Sequence, residues 1–257
     1  MKTTLLLLWM FAIVPIAAST EQSPPQPIGI VEKLGSTISM DERFTDEQGH
    51  LVPLSSVIDK PTIVTFVYFK CAGICSPLLT EMTKIVGKMD LELGKDYQIL
   101  TLSFDPSEKF DLAAEKRDNY LAEIKKGVNP VGWRFFTGDS VAIAKFTSES
   151  GFYFSRSGRE WLHAGALIVL SPKGKVTRYL YGTQYLPFDV KMAVMEASEG
   201  RTGPTIAKVL AFCYSYDPEG RTYAFNVTRI GGLVIVGLVG AFVLLFIIRP
   251  RRKVRNA

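Results

Sequence analysis

Residues 62–69 (TIVTFVYF) are apolar or β-branched at every position, so this segment has no polar side to turn toward water. A strand of that kind is expected at the centre of a sheet buried on both faces, and the alternation of strands and helices around it favours an α/β sheet covered by helices. The segments that follow alternate accordingly. A helix is predicted from Pro77 onward, burying Leu78, Met82, Ile85 and Val86, because proline is tolerated in a first turn and these positions share one face. Residues 97–104 (YQILTLSF) form a second apolar strand closed by Asp105-Pro106, and residues 107–126 an amphipathic crossover helix. Residues 141–148 give a shorter helix. Residues 162–170 (LHAGALIVL) give a strand that turns through Ser171-Pro172-Lys173-Gly174 into residues 176–181, and residues 188–198 close the domain with a helix.

Two apolar runs frame this region. Lys2 precedes apolar residues 5–18, and the small residues Ala17, Ala18 and Ser19 follow, which is the layout of a cleavable signal peptide over residues 1–19. The alternative is an uncleaved N-terminal anchor, although the run is shorter than the ~20 apolar residues a spanning helix needs. Residues 231–248 hold no charge or amide and meet Arg249-Pro250-Arg251-Arg252-Lys253 at once, the pattern of a transmembrane helix with a basic cytoplasmic tail over 249–257. A buried core helix is the weaker alternative, given those flanking cations. Residues 20–27 form a Pro-rich linker and residues 217–230 a juxtamembrane connector, which leaves 28–216 as one domain. The expectation is a single-pass protein of the cell inner membrane, its domain on the periplasmic or extracytoplasmic side.

The formal charge of +5 does not point to nucleic acid. Lys2, Arg249, Arg251, Arg252, Lys253 and Arg255 all lie in the leader and tail, and without them the remainder is near neutral, at about −1. No basic patch remains between the ends.

Cys71 and Cys75 stand four apart where the doubly buried strand ends and a helix begins. Backbone N–H groups and the dipole at a helix start stabilise thiolate, the form that attacks disulfides and binds metal. Ala72-Gly73-Ile74 between them is small and flexible enough for both sulfurs to turn toward one point. A plain stabilising bridge is the competing reading, but closing so short a loop restrains the unfolded chain little. Of the two histidines, His50 lies in the turn-like Asp46-Glu47-Gln48-Gly49-His50 and reads as a surface residue. His163 stands where the chain enters another apolar strand, and in a parallel sheet such strand ends gather beside neighbouring loops. Two thiolates and an imidazole suit Cu(I), and Cys/His sets also hold Cu(II) or zinc.

Residues 68–78 (YFKCAGICSPL) resemble the CxxxC-x-P stretch of the SCO/SenC proteins, and residues 102–106 (LSFDP) their strand-ending S-x-D-P. His163, followed by an apolar strand and Pro172-Lys173-Gly174-Lys175, looks like their single metal-binding histidine and the hairpin after it. The similarity spans residues 28–199. It implies a thioredoxin-like fold, a central β-sheet flanked by helices, that binds one copper through Cys71, Cys75 and His163. The implied role is a metallochaperone that helps mature the binuclear copper centre of cytochrome c oxidase subunit II, with other copper chaperones as further partners. A second role implied for such proteins is reduction of that subunit's cysteines. The chain departs from the family in carrying Ser107-Glu108-Lys109-Phe110-Asp111 where a charged, Thr-containing run is usual, and in carrying a C-terminal helix where many members have an N-terminal anchor.

The reading from another class is an enzyme, a thiol–disulfide oxidoreductase or redox sensor cycling Cys71 and Cys75. True thioredoxins have CxxC and a proline before the strand that here reads Leu162-His163-Ala164-Gly165-Ala166, so both differences lean away from a general reductase. A peroxidase-like redoxin lacks its Thr-x-x-Cys pattern, since Tyr68 stands three before Cys71. Cys213, in a segment resembling a C-terminal extension of some bacterial members, is an extra ligand, an intermolecular bridge or, as favoured here, a buried residue among aromatics. Met192 and Met195 have the i, i+3 spacing of a core face and are assigned to packing. Asn226-Val227-Thr228 fits a glycosylation sequon.

Overall fold

A computed structural model describes residues 28–124, 127, 129–158, 160–203, 214–217, 222–225, 235 and 237–242. The expected signal peptide, the linker 20–27, Cys213, the Asn226 sequon, the basic tail and most of the apolar stretch 231–248 lie outside the described residues. Among those described, no helix is long and apolar enough to cross a membrane.

In chain order the strands and helices are β1 (Gly29–Ile30), β2 (Arg43–Asp46), β3 (Leu51–Pro53), β4 (Thr62–Val67), α1 (Cys75–Lys88), β5 (Gln98–Ser103), α2 (Phe110–Ala122), β6 (Trp133–Thr137), α3 (Ser140–Glu149), β7 (Phe152–Tyr153), β8 (Ser155–Ser157), β9 (Glu160–Leu162), β10 (Ala166–Leu170), β11 (Val176–Tyr181), α4 (Pro187–Ser198), β12 (Tyr214–Asp217) and β13 (Thr222–Phe225). Seven of the strands form one sheet in the order β11-β10-β4-β5-β6-β2-β3. Every residue of β4 and β10 is buried, as a strand with two apolar faces requires. Burying each Val, Ile, Leu or Phe side chain contributes about 1.5–3 kcal/mol, which makes these two strands and β5 the stabilising centre.

The sheet is mixed, not parallel throughout. Strands β4, β5 and β6 run parallel, while β10 pairs antiparallel with β4, and β2 antiparallel with β6. The hairpin from β10 to β11 turns as expected, with Gly174 N–H donating to the Ser171 carbonyl at 2.9 Å and Gly174 at φ 72°, a left-handed conformation that glycine adopts at little cost.

Several helix boundaries differ from those predicted. Helix α1 begins at Cys75, not Pro77, so the second cysteine lies inside the first turn. Proline at the third helical position is still accommodated, because its missing N–H would have had no partner inside the helix. Helix α2 is shorter than 107–126 and buries only Ala113 and Tyr120. Residues before it are held by an Asx turn instead, in which the Asp105 carboxylate accepts from the Ser107 N–H and hydroxyl. Helix α3 begins one residue before the expected 141–148 and is capped by Asp139, whose carboxylate accepts from the N–H groups of Val141 and Ala142. On α4 the core face is Val190, Ala193, Val194 and Ala197, whereas Met192 is half-buried and Met195 is 43% exposed. The packing role expected for Met195 is therefore not what the structure shows: the face is one position out of phase with the methionines.

Polar groups inside the sheet are paired. The Thr65 and Thr101 hydroxyls meet at 2.8 Å across β4 and β5, and the Trp133 indole N–H donates to Thr101 at 2.9 Å. Buried Asp46 and Glu47 are both bound by Arg134, and Arg117 adds a longer contact to Glu47 at 3.5 Å. His50 is exposed beside Asp46, far from any ligand role, as its turn position indicated.

One consequence of this topology places the site. Because Val67 pairs with Ser103 in parallel register, the loops leaving β4 and β5 emerge side by side. Because β10 runs the other way, its beginning lies at that same end. Carrying the antiparallel register beyond the Leu167–Thr65 pair brings His163 level with Phe69, next to the cysteine loop.

Candidate metal centre

Cys71 lies in the loop after β4, Cys75 in the first turn of α1, and His163 in the short connection between β9 and β10. The histidine is thus not inside a strand over 162–170, because a separate hairpin, β8 with β9, interrupts it. The donor atoms of Cys71, Cys75 and His163 all lie within 4.8 Å of one another, and Cys75 Sγ is 3.5 Å from His163 Nε2. Both cysteines are free thiols. Cys75 is buried at 3% exposure, while Cys71 and His163 are half-buried, so the group opens to solvent on one side.

The local backbone explains why the two sulfurs differ. Burial pushes the Cys71 thiol up, but donors outweigh it: the Cys75 backbone N–H and side chain, the Gly73 N–H at 3.2 Å and the Tyr68 hydroxyl together hold Cys71 below its ordinary value. Gly73 does this without a left-handed backbone, so what the position supplies is an exposed N–H, and a Cβ added there would meet the Cys71 sulfur at 3.7 Å. Burial also drives Cys75 up, and there the opposing Tyr68 N–H is too little to offset it, with negative charge at Cys71 and Glu108 adding to the rise. Cys71 is therefore the easier of the two to ionise.

His163 is prepared as a neutral donor. Burial lowers its pKa, only partly opposed by the bond to the Ala164 carbonyl. With Nδ1 3.1 Å from that carbonyl, Nδ1–H donates there and the Nε2 lone pair faces the sulfurs, the tautomer that ligates metal. The ring is held among aromatics, with centroids 5.0 Å from Phe104, 6.0 Å from Tyr68 and 6.1 Å from Phe152. Two thiols and one imidazole make a soft, three-donor set that fits Cu(I).

Residues outside the cysteine motif complete the arrangement. The β8–β9 hairpin that delivers His163 is latched by the Tyr68 hydroxyl donating to Glu160 at 2.7 Å and the Trp161 indole N–H donating to Asp105 at 3.1 Å. Although burial favours a raised Asp105 pKa, the Ser107 hydroxyl and N–H and the Trp161 indole outweigh it and keep the carboxyl low. Glu108, at 2% exposure, lies under the cysteine loop and accepts from Phe69 and Lys70 N–H groups. None of these was singled out from sequence as part of the site. The signal was present in the parallel pairing of the two strands, which puts residues 104–109 against residues 68–74.

Known proteins share this fold. An SCO1 protein homolog of Bacillus subtilis (strain 168) is 26% identical over 151 residues, covering 57% of this chain and 75% of the relative. The structure of Arabidopsis thaliana ScoI with copper bound shares 18% identity over 65% of this chain and 98% of that one, with a TM-score of 0.51. That of BsSco, a member of the Sco family of cytochrome c oxidase assembly proteins, shares 21% over 66% and 96%, with a TM-score of 0.50. At these identities the two structures establish the thioredoxin-like Sco fold. The sequence profile of the SCO1/SenC family matches residues 32–199, well over half the chain, and the chain belongs to that family.

Proposed function

We propose that this chain is a membrane-anchored copper metallochaperone that carries one copper on Cys71, Cys75 and His163, outside the cytoplasm, and assists maturation of the binuclear copper centre of cytochrome c oxidase subunit II. The observation that carries this is the convergence of three donors from separate segments, within 4.8 Å, in a protein of the SCO1/SenC family. Copper is the cargo. Cys75 is buried in the first turn of α1 and the His163 ring is packed among aromatics, whereas half-buried Cys71 lies in the loop, ionises more readily than Cys75 and is the donor we expect to exchange first with an incoming ligand. Taking up Cu(I) on two thiols releases protons and changes no oxidation state.

The test is made in cells. Removing the protein should leave cytochrome c oxidase without its subunit II copper signal, restored by the unmodified chain but not by Cys71→Ser. A fully metallated oxidase in its absence would refute the role.

A second reading is favoured by the split between the two thiols: a thiol–disulfide oxidoreductase in which the Cys71 thiolate attacks a partner disulfide and buried Cys75 resolves the mixed disulfide. One two-electron turnover leaves the partner reduced and Cys71–Cys75 oxidised. In that case Cys75→Ser traps the partner covalently and His163 is dispensable. Failure to trap any partner would count against it.

A further inference from the structure

The structure assigns Glu108 as a positioning residue that holds the cysteine loop in its metal-binding shape. This inference rests on the copper-binding role proposed above. Glu108 belongs to neither the cysteine motif nor the donor set, and it falls where the sequence departs from the usual family pattern. It is nevertheless among the most deeply buried charged side chains of the protein, at 2% exposure.

Its carboxylate is fully engaged by three donors. Oε2 accepts from the Phe69 N–H at 2.7 Å and the Ser103 hydroxyl at 2.6 Å, and Oε1 accepts from the Lys70 N–H at 2.9 Å. Phe69 and Lys70 are the two residues immediately before Cys71, just beyond the point where β4 leaves the sheet. Their N–H groups have lost ladder partners and are turned inward, where an unpaired donor is costly. Ser103 is the last residue of β5 and lies in register with Val67, the last of β4. Glu108 thus ties the exit of one strand to the exit of the other. The turn that delivers it is closed by its own N–H donating to the Asp105 carbonyl at 3.1 Å.

A structural role alone would call for any satisfied group. The chemistry here is narrower. All three partners are donors, so only an acceptor on both oxygens fits, and an amide would turn an N–H₂ toward a donor. Removing that acceptor frees the backbone at residues 69–70 and, with it, the direction in which Cys71 leaves the strand. Cys75 is anchored separately by α1, so the loss falls on the spacing between the two sulfurs.

The experiment uses the full chain in detergent, comparing the unmodified protein, Glu108→Gln and Glu108→Asp. Glu149→Gln serves as a control, since Glu149 holds the Ser39 N–H and hydroxyl in the same way at another place. Two readouts are taken below the unfolding temperature of each variant. The first is copper affinity with the Cu(II) thiolate charge-transfer absorption. The second, on metal-free protein, is the ratio of iodoacetamide labelling at Cys71 to that at Cys75, resolved by peptide mass. Glu108→Gln should weaken copper affinity about tenfold or more, shift the absorption and change the labelling ratio, while Glu108→Asp lies between it and the unmodified protein. Glu149→Gln should alter neither. Unchanged absorption and labelling ratio in Glu108→Gln overturn the inference. If Glu108→Gln does not fold, the same readouts on Glu108→Asp decide. Failure of the unmodified protein to bind copper, with the labelling ratio still changed by Glu108→Gln, would refute the copper role and leave the positioning role standing.

Discussion

Replacing Tyr68 by Phe removes one oxygen from the centre of the site and leaves the ring that fills the space. The hydroxyl donates to Glu160 at 2.7 Å and also lies against the Cys71 sulfur, yet it has one proton and serves one acceptor at a time. Hydrogen bonds to charged groups are worth about 1.5–3 kcal/mol when buried. Glu160 is exposed and regains water in the variant, so the loss of global stability should be smaller, about 0.5–1.5 kcal/mol. That corresponds to a fall in Tm of a few degrees, about 2–4 °C per kcal/mol for a domain of this size. The local effects are larger in proportion. If half to all of a bond worth about 1 kcal/mol serves the Cys71 thiolate, its loss lowers the thiolate fraction at neutral pH by about two- to fivefold. Cys71 alkylation should slow by that factor, and the amides of β8 and β9, which bond only to each other in the sheet pattern, should exchange faster. Alkylation at pH 7 with peptide mapping, alongside hydrogen exchange, measures both. An unchanged Cys71 rate together with unchanged exchange in the hairpin would refute the assignment of Tyr68 as donor and latch.

The remaining predictions concern stability, pH and anchoring. Trp133→Phe loses the indole bond to Thr101 and leaves a cavity at a fully buried position, costing about 2–4 kcal/mol, yet Trp133 opens β6 at the far end from the cysteines, so copper binding by the folded protein should be unchanged. A matching loss of copper affinity would show that the core and site are not separable. Because burial depresses the His163 pKa, the unfolded chain binds its proton more readily. This contribution to stability is complete above the unfolded value of about 6.5 and is lost as pH falls through the lower folded value. Thermal unfolding of the metal-free chain from pH 7.5 downward should therefore show a slope that His163→Gln reduces, and equal slopes would contradict the buried neutral ring. If residues 231–248 are the anchor, ending the chain before Gly231 releases the domain into the soluble fraction, whereas retention in the membrane would place the anchor at the N-terminus.

The sequence was most informative where one physical demand dominated. Residues 62–69 had to be buried on both faces, and β4 is. The hairpin at Gly174 followed from a turn that only certain residues make. Less legible were strands such as β2 and β6, whose pairing joins distant segments and whose short patterns resemble loops. The site followed the same division. Cys71, Cys75 and His163 could be named from residue type and spacing, but their convergence depends on β10 running antiparallel to β4, which no local pattern records. The sequence also placed His163 within a strand, because the apolar run from Leu162 conceals the break between β9 and β10 that frees the ring to face the sulfurs. Glu108 and Tyr68 escaped notice because their roles arise from partners 38 or more positions away, at Lys70 and Phe69 for one and Glu160 for the other.

The most direct measurement is copper stoichiometry and ligation in the purified, reduced chain and in His163→Ala, by metal analysis and X-ray absorption. One copper per chain, with two sulfur ligands and one nitrogen ligand, and loss of the nitrogen with weakened binding in His163→Ala, is the expected result. Full copper affinity with unchanged ligation in His163→Ala, or no stable copper in the unmodified chain, would contradict the centre formed by Cys71, Cys75 and His163.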